Sequence, residues 1–409
     1  MKAKTKNICF MYAIALLQGM VFYGPIATLY RQANGISILE ITVIESVSLA
    51  LCLILEFPWG ILADKIGYKK TILLCNILYF FSKIIFWKAS CFTAFLLERV
   101  IISISIAGLS GVDTALLYLS CKEPEICGCQ SEAALQEKSR HVFGIYNSLQ
   151  TAGLFFAAFL FSYVIKNNYS LAAFLTVISY GIAALLSFGL TETAHKQEKQ
   201  NFPDFLFLLK QSLTDKYLLL FLTGIALLNE THQTITVFLN QLQYIRCGLS
   251  SSAIGYIYIA VTISGLCGAL SAKLTKKLGT VSVASFLFGA SALSCLLLAV
   301  TDKAWLSVSA ILILRIAFSL LQPLQTELQN RRITTGNRAT VLSINAIIID
   351  GTGIGTNLVF GSLAQHSLTV SFLFGALLCT VGGLFFLLCY QRNFHALHAH
   401  PDKNNKKQI

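Results

Sequence analysis

Long apolar runs separated by short polar segments dominate this chain of 409 residues. Charged residues and helix-breaking glycine, proline or asparagine bound each run. Because a membrane-crossing helix needs about 20 apolar residues, the runs predict about twelve spans. They lie near residues 8–29, 39–61, 71–88, 93–118, 142–165, 170–190, 217–240, 252–275, 281–300, 304–325, 341–364 and 370–390. The pattern therefore predicts an all-α polytopic membrane protein.

Composition supports this prediction, and the distribution of charge among the loops predicts the membrane topology. The chain is 55% hydrophobic and 12% charged, with a mean hydropathy of +0.68. Its net charge of +12 is concentrated in alternate loops, while the loops between them carry one cation each, such as Arg31 and Lys166. Cation-rich loops stay on the cytoplasmic side, so we expect both termini in the cytoplasm and the protein in the plasma membrane. The basic balance then reflects topology, and we expect no nucleic-acid partner.

One stretch between the second and third predicted spans carries a motif. Within residues 56–70, glycine, aspartate, a second glycine and paired lysines follow one another at the end of an apolar run. Its members are Gly60, Leu62, Ala63, Asp64, Gly67, Lys69 and Lys70. The stretch resembles the signature loop of the major facilitator superfamily (MFS), although Tyr68 stands where that loop usually has a basic residue. A basic turn that merely follows an inner helix end is the alternative.

The resemblance implies two pseudo-symmetric six-helix bundles, and internal similarity supports it. Arg140 precedes Asn147 by seven residues in the fifth span, as Arg338 precedes Asn345 in the eleventh. Offsets near half the chain favour a true repeat. We therefore expect an N-terminal bundle (1–190), a cytoplasmic linker (191–216) with a short helix at 202–213, a C-terminal bundle (217–391) and a cytoplasmic tail (392–409).

The seventh predicted span is unusually polar. Asn229, Gln233, Thr236 and Asn240 recur at helical spacing on one face, which we expect to line a water-filled cavity. Glu230 lies beside them in mid-span, where a carboxyl group is either protonated or paired. We interpret Glu230 as a proton-coupling or substrate-contacting residue; the alternative is a carboxylate locked to another helix.

Other ionisable or polar residues in spans are further candidates, because such groups are costly in a bilayer. Glu45, Asp113 and Asp350 are additional proton-coupling candidates. In the family that the motif resembles, spans one, four, seven and ten line the cavity. The remaining substrate-cavity candidates are therefore Gln18, Tyr23, Arg99 and Gln322; polar contacts between helices are an equal alternative. The resemblance also implies an inner-gate latch of Asp64, Lys69 and Asp113, whose alternative is a static ion pair.

Some patterns carry no expected chemistry. Gly351, Gly353 and Gly355 mimic a nucleotide-binding loop, but they lie in an apolar helix, so we expect close helix packing through Gly351 and Gly355. Cys121, Cys127 and Cys129 share a loop without a recognisable zinc spacing. We therefore expect no metal, no cofactor and no enzymatic activity.

These features favour a secondary transporter. Because no nucleotide-binding sequence is present, coupling would come from an ion gradient. The compact chain resembles bacterial drug exporters, although the fifth span lacks the proline of their glycine/proline motif. We expect proton-coupled export of small amphipathic molecules by a monomer. Proton-coupled import of a nutrient and a transport-dead sensor remain alternatives.

Overall fold

The computed structural model describes residues 3–121, 132–192, 209–332 and 338–398. Within those residues the chain is helical throughout, apart from short connections. It divides into two compact units, unit 1 (Met1–Lys199 with Leu249–Ile259) and unit 2 (Gln200–Gly248 with Ala260–Ile409). The predicted all-α class is confirmed.

Unit 1 is built from eight described helices and part of a ninth. They are α1 (Ala3–Gly19), α2 (Ala27–Ala33), α3 (Ile38–Ile66), α4 (Tyr68–Lys88), α5 (Phe92–Leu109), α6 (Val112–Cys121), α7 (Glu132–Leu160) and α8 (Tyr169–Ser187). A 3₁₀ turn, Gly24–Ile26, separates α1 from α2 and has Pro25 near its start, where a helix tolerates a missing N–H. Helix α4 packs against α5 and α8, while α1 packs against α7 and α8.

Unit 2 holds the remaining helices. They are α9 (Lys216–Gln233), α10 (Asn240–Arg246), α11 (Ser251–Ser264), α12 (Ser271–Leu278), α13 (Thr280–Val300), α14 (Ala304–Arg332), α15 (Arg338–His366) and α16 (Leu368–His398). The first nine residues of α11 fall in unit 1. Helix α16 packs against α9 and α13 over a core that includes Phe221, Phe288 and Phe386.

Eleven helical stretches in the described part of the chain are long and apolar enough to cross a membrane. The predicted seventh span is absent from this set, although residues 216–246 are helical. Its polar residues 229–233 lower its hydropathy. Apolar side chains cover the outside, for example Leu185, Phe286 and Val300, which are 70%, 72% and 78% exposed. An apolar exterior is what a lipid-facing surface requires.

Two predicted spans contain interruptions that the hydrophobic pattern did not predict. The fourth divides at Ser110 and Gly111, whose φ of +76° ends α5 before α6 begins. The eighth contains a 3₁₀ segment, Gly265–Leu270, between α11 and α12. Hydropathy measures apolar content alone, so it cannot detect a break made by one or two small residues.

The same turn occurs once in each unit. Gly67 joins α3 to α4 with φ and ψ of 94° and 152°. Gly279 joins α12 to α13 with nearly equal values, 82° and 153°. Residues other than glycine rarely adopt a positive φ, which explains why glycine stands at both turns. This matching turn supports the internal repeat.

Several predictions concern residues outside the described part. The linker helix at 202–213 and the linker 191–216 lie largely outside it, as do Cys127, Cys129 and most of the tail. The Asp64 side chain also lies outside the described structure. The predicted latch therefore stays a prediction.

Candidate functional site

A cavity of about 370 Å³ lies within unit 1. Its lining combines aromatic hydroxyl groups with side-chain amides. The polar lining residues include Gln18, Tyr79, Asp113, Tyr146, Asn147, Gln150 and Tyr180. Ligand sites in proteins combine apolar or aromatic walls with a few convergent polar groups, and this cavity has that character. A larger groove of about 760 Å³ is lined by α7 alone, so it offers fewer converging groups.

Asp113 forms the acidic end of the cavity. The Ser110–Gly111 break starts a new helix, and Asp113 lies in its first turn. A carboxylate is favoured there by the positive end of the helix dipole. Its carboxylate accepts a hydrogen bond from the Thr114 backbone N–H (2.6 Å) and another from the Tyr146 hydroxyl (3.1 Å). This position is compatible with the predicted proton-coupling role of Asp113, which stays a prediction.

Gln18, Tyr79 and Tyr180 form a second group of lining residues, the tyrosine end of the cavity. The Gln18 amide donates to Asn76 Oδ1 (2.7 Å), and Tyr180 donates to the Gln18 carbonyl (2.9 Å). The rings of Tyr79 and Tyr180 meet edge to face with centroids 5.8 Å apart. Two helices, α4 and α8, thus fix these two rings against α1.

A buried charge network lies near this tyrosine end. Glu45 accepts from Arg31 (3.3 Å) through one carboxylate oxygen, and the other pairs closely with Arg99. The side chains of Arg31 and Glu45 are 5% and 8% exposed. Glu45 therefore has two guanidinium partners, and its proton-coupling role stays a prediction. Arg99 pairs with Glu45 and is not among the residues that line this cavity, so its predicted role in substrate contact stays a prediction.

Two more ionisable groups complete this network. Glu98 is 1% exposed and has one distant ion pair, to Arg31 at 3.9 Å. Lys83 donates to the Tyr23 hydroxyl (2.9 Å) and lies over the rings of Tyr23 and Tyr180 at 5.6 and 5.0 Å. Tyr23 is therefore a buried partner of Lys83, stacked on Phe86, and it does not line the cavity.

Unit 2 has a different candidate centred on Glu230. Its side chain is buried, and its one described hydrogen bond is from the Asn357 amide at 3.4 Å. Asn357 in turn accepts from Thr234 at 2.6 Å. Asp350 lies within electrostatic range of Glu230. Among the side chains that the structure describes, none forms an ion pair with Glu230.

The seventh span does not keep its four polar residues on one helical face, as the sequence predicted. A π-helical turn, Thr234–Leu239, interrupts the α-helix after Gln233. Because a π turn bonds residues five apart, positions beyond it rotate away from their α-helical face. Gln233 is exposed, whereas Thr236 and Asn240 are buried. Asn229 contacts the Gln325 amide oxygen at 3.2 Å.

His232 and Arg315 form a second polar pair in unit 2. The imidazole Nε2 lies 3.4 Å from an Arg315 nitrogen and 3.2 Å from the Thr236 hydroxyl. Its ring stacks on Phe318 with centroids 3.8 Å apart. Since arginine can only donate, Nε2 must accept, and the proton of a neutral imidazole lies on Nδ1. Gln322, by contrast, is exposed and outside this contact set.

The expected glycine packing in α15 is also wrong. Gly351 and Gly355 face open space, with no atom within 4 Å of an added Cβ. Gly353 is the buried one, and an added Cβ would lie 2.5 Å from the Glu230 carboxyl carbon. Gly353 therefore provides room for the Glu230 carboxyl group.

The motif loop has a partner that the sequence did not suggest. The backbone N–H of Lys69 donates to Glu192 at 3.3 Å, at the start of α4. A side chain at Gly67 would collide with the same carboxylate. Gly60 and Lys70 are exposed. Glu192 thus joins the chain beyond α8 to the motif loop.

Sequence reasoning overlooked several of these residues. Glu98 adjoins Arg99 inside a predicted span, so its charge was a visible signal. Arg31 was assigned to a loop, and the structure buries it. Asn357 and Gly353 gave no signal, because an amide or a glycine in a span is common.

Comparison with known proteins gives the family. The family model described as Major Facilitator Superfamily matches residues 8–356. The fold is similar to that of a point mutant of the nucleoside transporter NupG, with a TM-score of 0.79, 15% identity, and coverage of 94% of this chain and 100% of that chain. No curated protein sequence matches the chain.

Two further solved structures share the fold. One is a bacterial homologue of the human lysosomal transporter Spinster, with a TM-score of 0.67, 15% identity, and coverage of 98% of this chain and 99% of that chain. The other is the human organic anion transporter MFSD10, with a TM-score of 0.58, 16% identity, and coverage of 94% and 100%. Identities this low show the fold, and the family match shows a multi-pass membrane transporter of small molecules, not an enzyme. The chain belongs to the Major Facilitator Superfamily.

Proposed function

We propose that this transporter couples the export of small amphipathic molecules to proton movement, by alternating access. The observation that carries the proposal is the environment of Glu230. A coupling carboxyl group must bind a proton in one state and lose it in another, so a permanent cationic partner would prevent the cycle. Glu230 is buried, has one long hydrogen bond, and has no described cation in ion-pair contact.

The surroundings of Glu230 suit such a cycle. Asp350 lies within electrostatic range of Glu230, so the two carboxyl groups form a coupled pair. Asn357 can donate to the ionised form or accept from the protonated form after an amide rotation. Moving one charge through the membrane potential supplies about 2.3 kcal/mol per 100 mV. One proton per cycle would therefore support appreciable accumulation.

Topology and assembly complete the proposal. The alternation of cation-rich and cation-poor loops supports cytoplasmic termini in a plasma membrane, and we propose a monomer. The short linker and compact length support a bacterial, drug-efflux-like antiporter. A transport-dead sensor would keep the fold and tolerate loss of Glu230, which separates it from this proposal.

One observation favours import as the second candidate. Three tyrosines and three side-chain amides line the unit 1 cavity, and such groups hydrogen-bond and stack against polar ring compounds. The structurally similar NupG is a nucleoside transporter, which is compatible with a polar nutrient here.

A transport assay separates export from import. Inverted membrane vesicles with an acidic interior, a pH-sensitive dye and a panel of cationic, zwitterionic and neutral amphiphiles report substrate-driven proton efflux from the vesicle. Alkalinisation by an amphiphile supports export. If intact cells take up single nutrients and the vesicles show no response, the proposal of export is replaced by one of import.

A further inference from the structure

The buried network of unit 1 has more positive than negative groups. Its cations are Arg31, Lys83 and Arg99, and its carboxylates are Glu45 and Glu98. With both carboxyl groups ionised, one positive charge remains unbalanced. An uncompensated charge in a dry interior is costly, so a counter-charge is expected to bind nearby.

Lys83 is the cation of this network that has no carboxylate in ion-pair contact. Among described side chains, the contacts of its ammonium group are the Tyr23 hydroxyl at 2.9 Å and two tyrosine rings. An ammonium group has three donors, and one acceptor satisfies a single donor. Two buried guanidinium N–H groups, on Arg31 and Arg99, also have no hydrogen-bond partner. The network therefore has spare donors as well as spare charge.

The unbalanced positive charge lies close to the tyrosine residues that line the cavity. Lys83 Nζ lies 5.0 Å from the centroid of the Tyr180 ring, which lines the cavity. Arg99 acts electrostatically on Tyr79, the neighbouring wall residue. Ring faces attract cations but do not neutralise them. The tyrosine end of the cavity therefore carries positive potential.

The carboxylate among the residues that line the cavity is Asp113. Its carboxylate already accepts two hydrogen bonds, from Thr114 and Tyr146. Repulsion from Asp113 would disfavour an anion beside that carboxylate. Lys83 and Arg31 act electrostatically on Glu98, which with Glu45 offsets two of the three positive charges.

We propose that the unit 1 cavity selects substrates carrying an anionic group, which binds at the Tyr79–Tyr180 end and is neutralised by Lys83. This inference rests on the proposed transport function and names the chemical class of its substrate. The apolar remainder of the substrate would pack against the tyrosine rings. Lys83 acts as the specificity-determining residue, and Arg99 reinforces it.

Matched probes test the preference directly. 3-Phenylpropionate and its neutral amide share one scaffold and differ in charge, and their binding to the purified full-length protein can be measured by calorimetric titration. We expect the wild type to bind the anion at least about tenfold more tightly than the amide. Lys83→Met should reduce this ratio to about twofold while leaving amide affinity unchanged. A protein that had merely lost its fold would bind neither probe.

Two further variants serve as controls for the effect of Lys83→Met. Lys88→Met removes an exposed ammonium group that lies 3.7 Å over Trp87, on the same helix, and should behave like the wild type. Arg99→Gln should weaken the preference if Lys83→Met fails to fold. Equal affinities for both probes in the wild type, no binding of either, or a preference that survives Lys83→Met would overturn the inference. Titration needs no proton gradient, so anion binding without proton-coupled transport would refute the proposed function alone.

Discussion

Replacing Gly353 by alanine tests whether Glu230 needs the space that this glycine leaves. The added Cβ would lie 2.5 Å from the carboxyl carbon and 2.7 and 2.8 Å from the two oxygens of Glu230. Ordinary contact begins near 3.4 Å, so the carboxyl group must move by about 1 Å. That displacement breaks its 3.4 Å hydrogen bond with Asn357.

The structural cost of Gly353→Ala should be small. Alanine gains about 1 kcal/mol over glycine in a helix, while the lost hydrogen bond costs about 1 kcal/mol and a shifted rotamer about as much. We therefore expect the free energy of unfolding to change by no more than about 1 kcal/mol. Substrate-driven alkalinisation in inverted vesicles should nevertheless fall by about tenfold or more.

Gly351→Ala and Gly355→Ala are matched controls in the same helix. Both positions face open space, so neither variant should reduce alkalinisation. Thermal unfolding of the three purified variants checks the stability estimate. Wild-type transport by Gly353→Ala, or equal losses in all three variants, would refute the role assigned to the Glu230 carboxyl position.

Two further predictions concern the charge network and topology. Glu45→Gln leaves two guanidinium groups facing a neutral amide and should destabilise the protein by about 3–5 kcal/mol. Arg246→Gln breaks a largely exposed ion pair and should cost under about 1 kcal/mol. Thermal unfolding compares the two variants, and similar losses of stability would contradict the burial argument. Hydrogen bonds from the Thr93 hydroxyl and the Ala94 backbone N–H lower the pKa of the exposed Cys91 thiol, so it is more reactive at neutral pH than an ordinary thiol. An impermeant maleimide should label Cys91 on intact cells, and labelling only after lysis would reverse the proposed topology.

Hydrophobic pattern predicted the spans because lipid exposure demands about 20 apolar residues whatever the packing. It could not predict the break at Gly111, since one glycine hardly changes hydropathy and its φ is set by the fold. The motif loop was recognised from Gly67 and its neighbours. Its contact with Glu192 was not, because that residue is distant in sequence.

The candidate site was predicted in part, for similar physical reasons. Glu230 stood out because a carboxyl group in a span is rare and costly. The face drawn through Gln233 and Asn240 was wrong, because the helical wheel assumes an uninterrupted α-helix and a π turn intervenes. Gly353 could be distinguished from its neighbours only when the position of Glu230 was known.

The central claim is that Glu230 carries the coupling proton, and Glu230→Gln tests it most directly. The variant keeps the size and hydrogen-bonding capacity of the side chain but cannot ionise. In acidic inverted vesicles, the account predicts substrate-driven alkalinisation by the wild type and none by Glu230→Gln, with thermal unfolding of the variant near that of the wild type. An equal response by both proteins would contradict the account and move coupling to Asp113, Asp350 or Glu45.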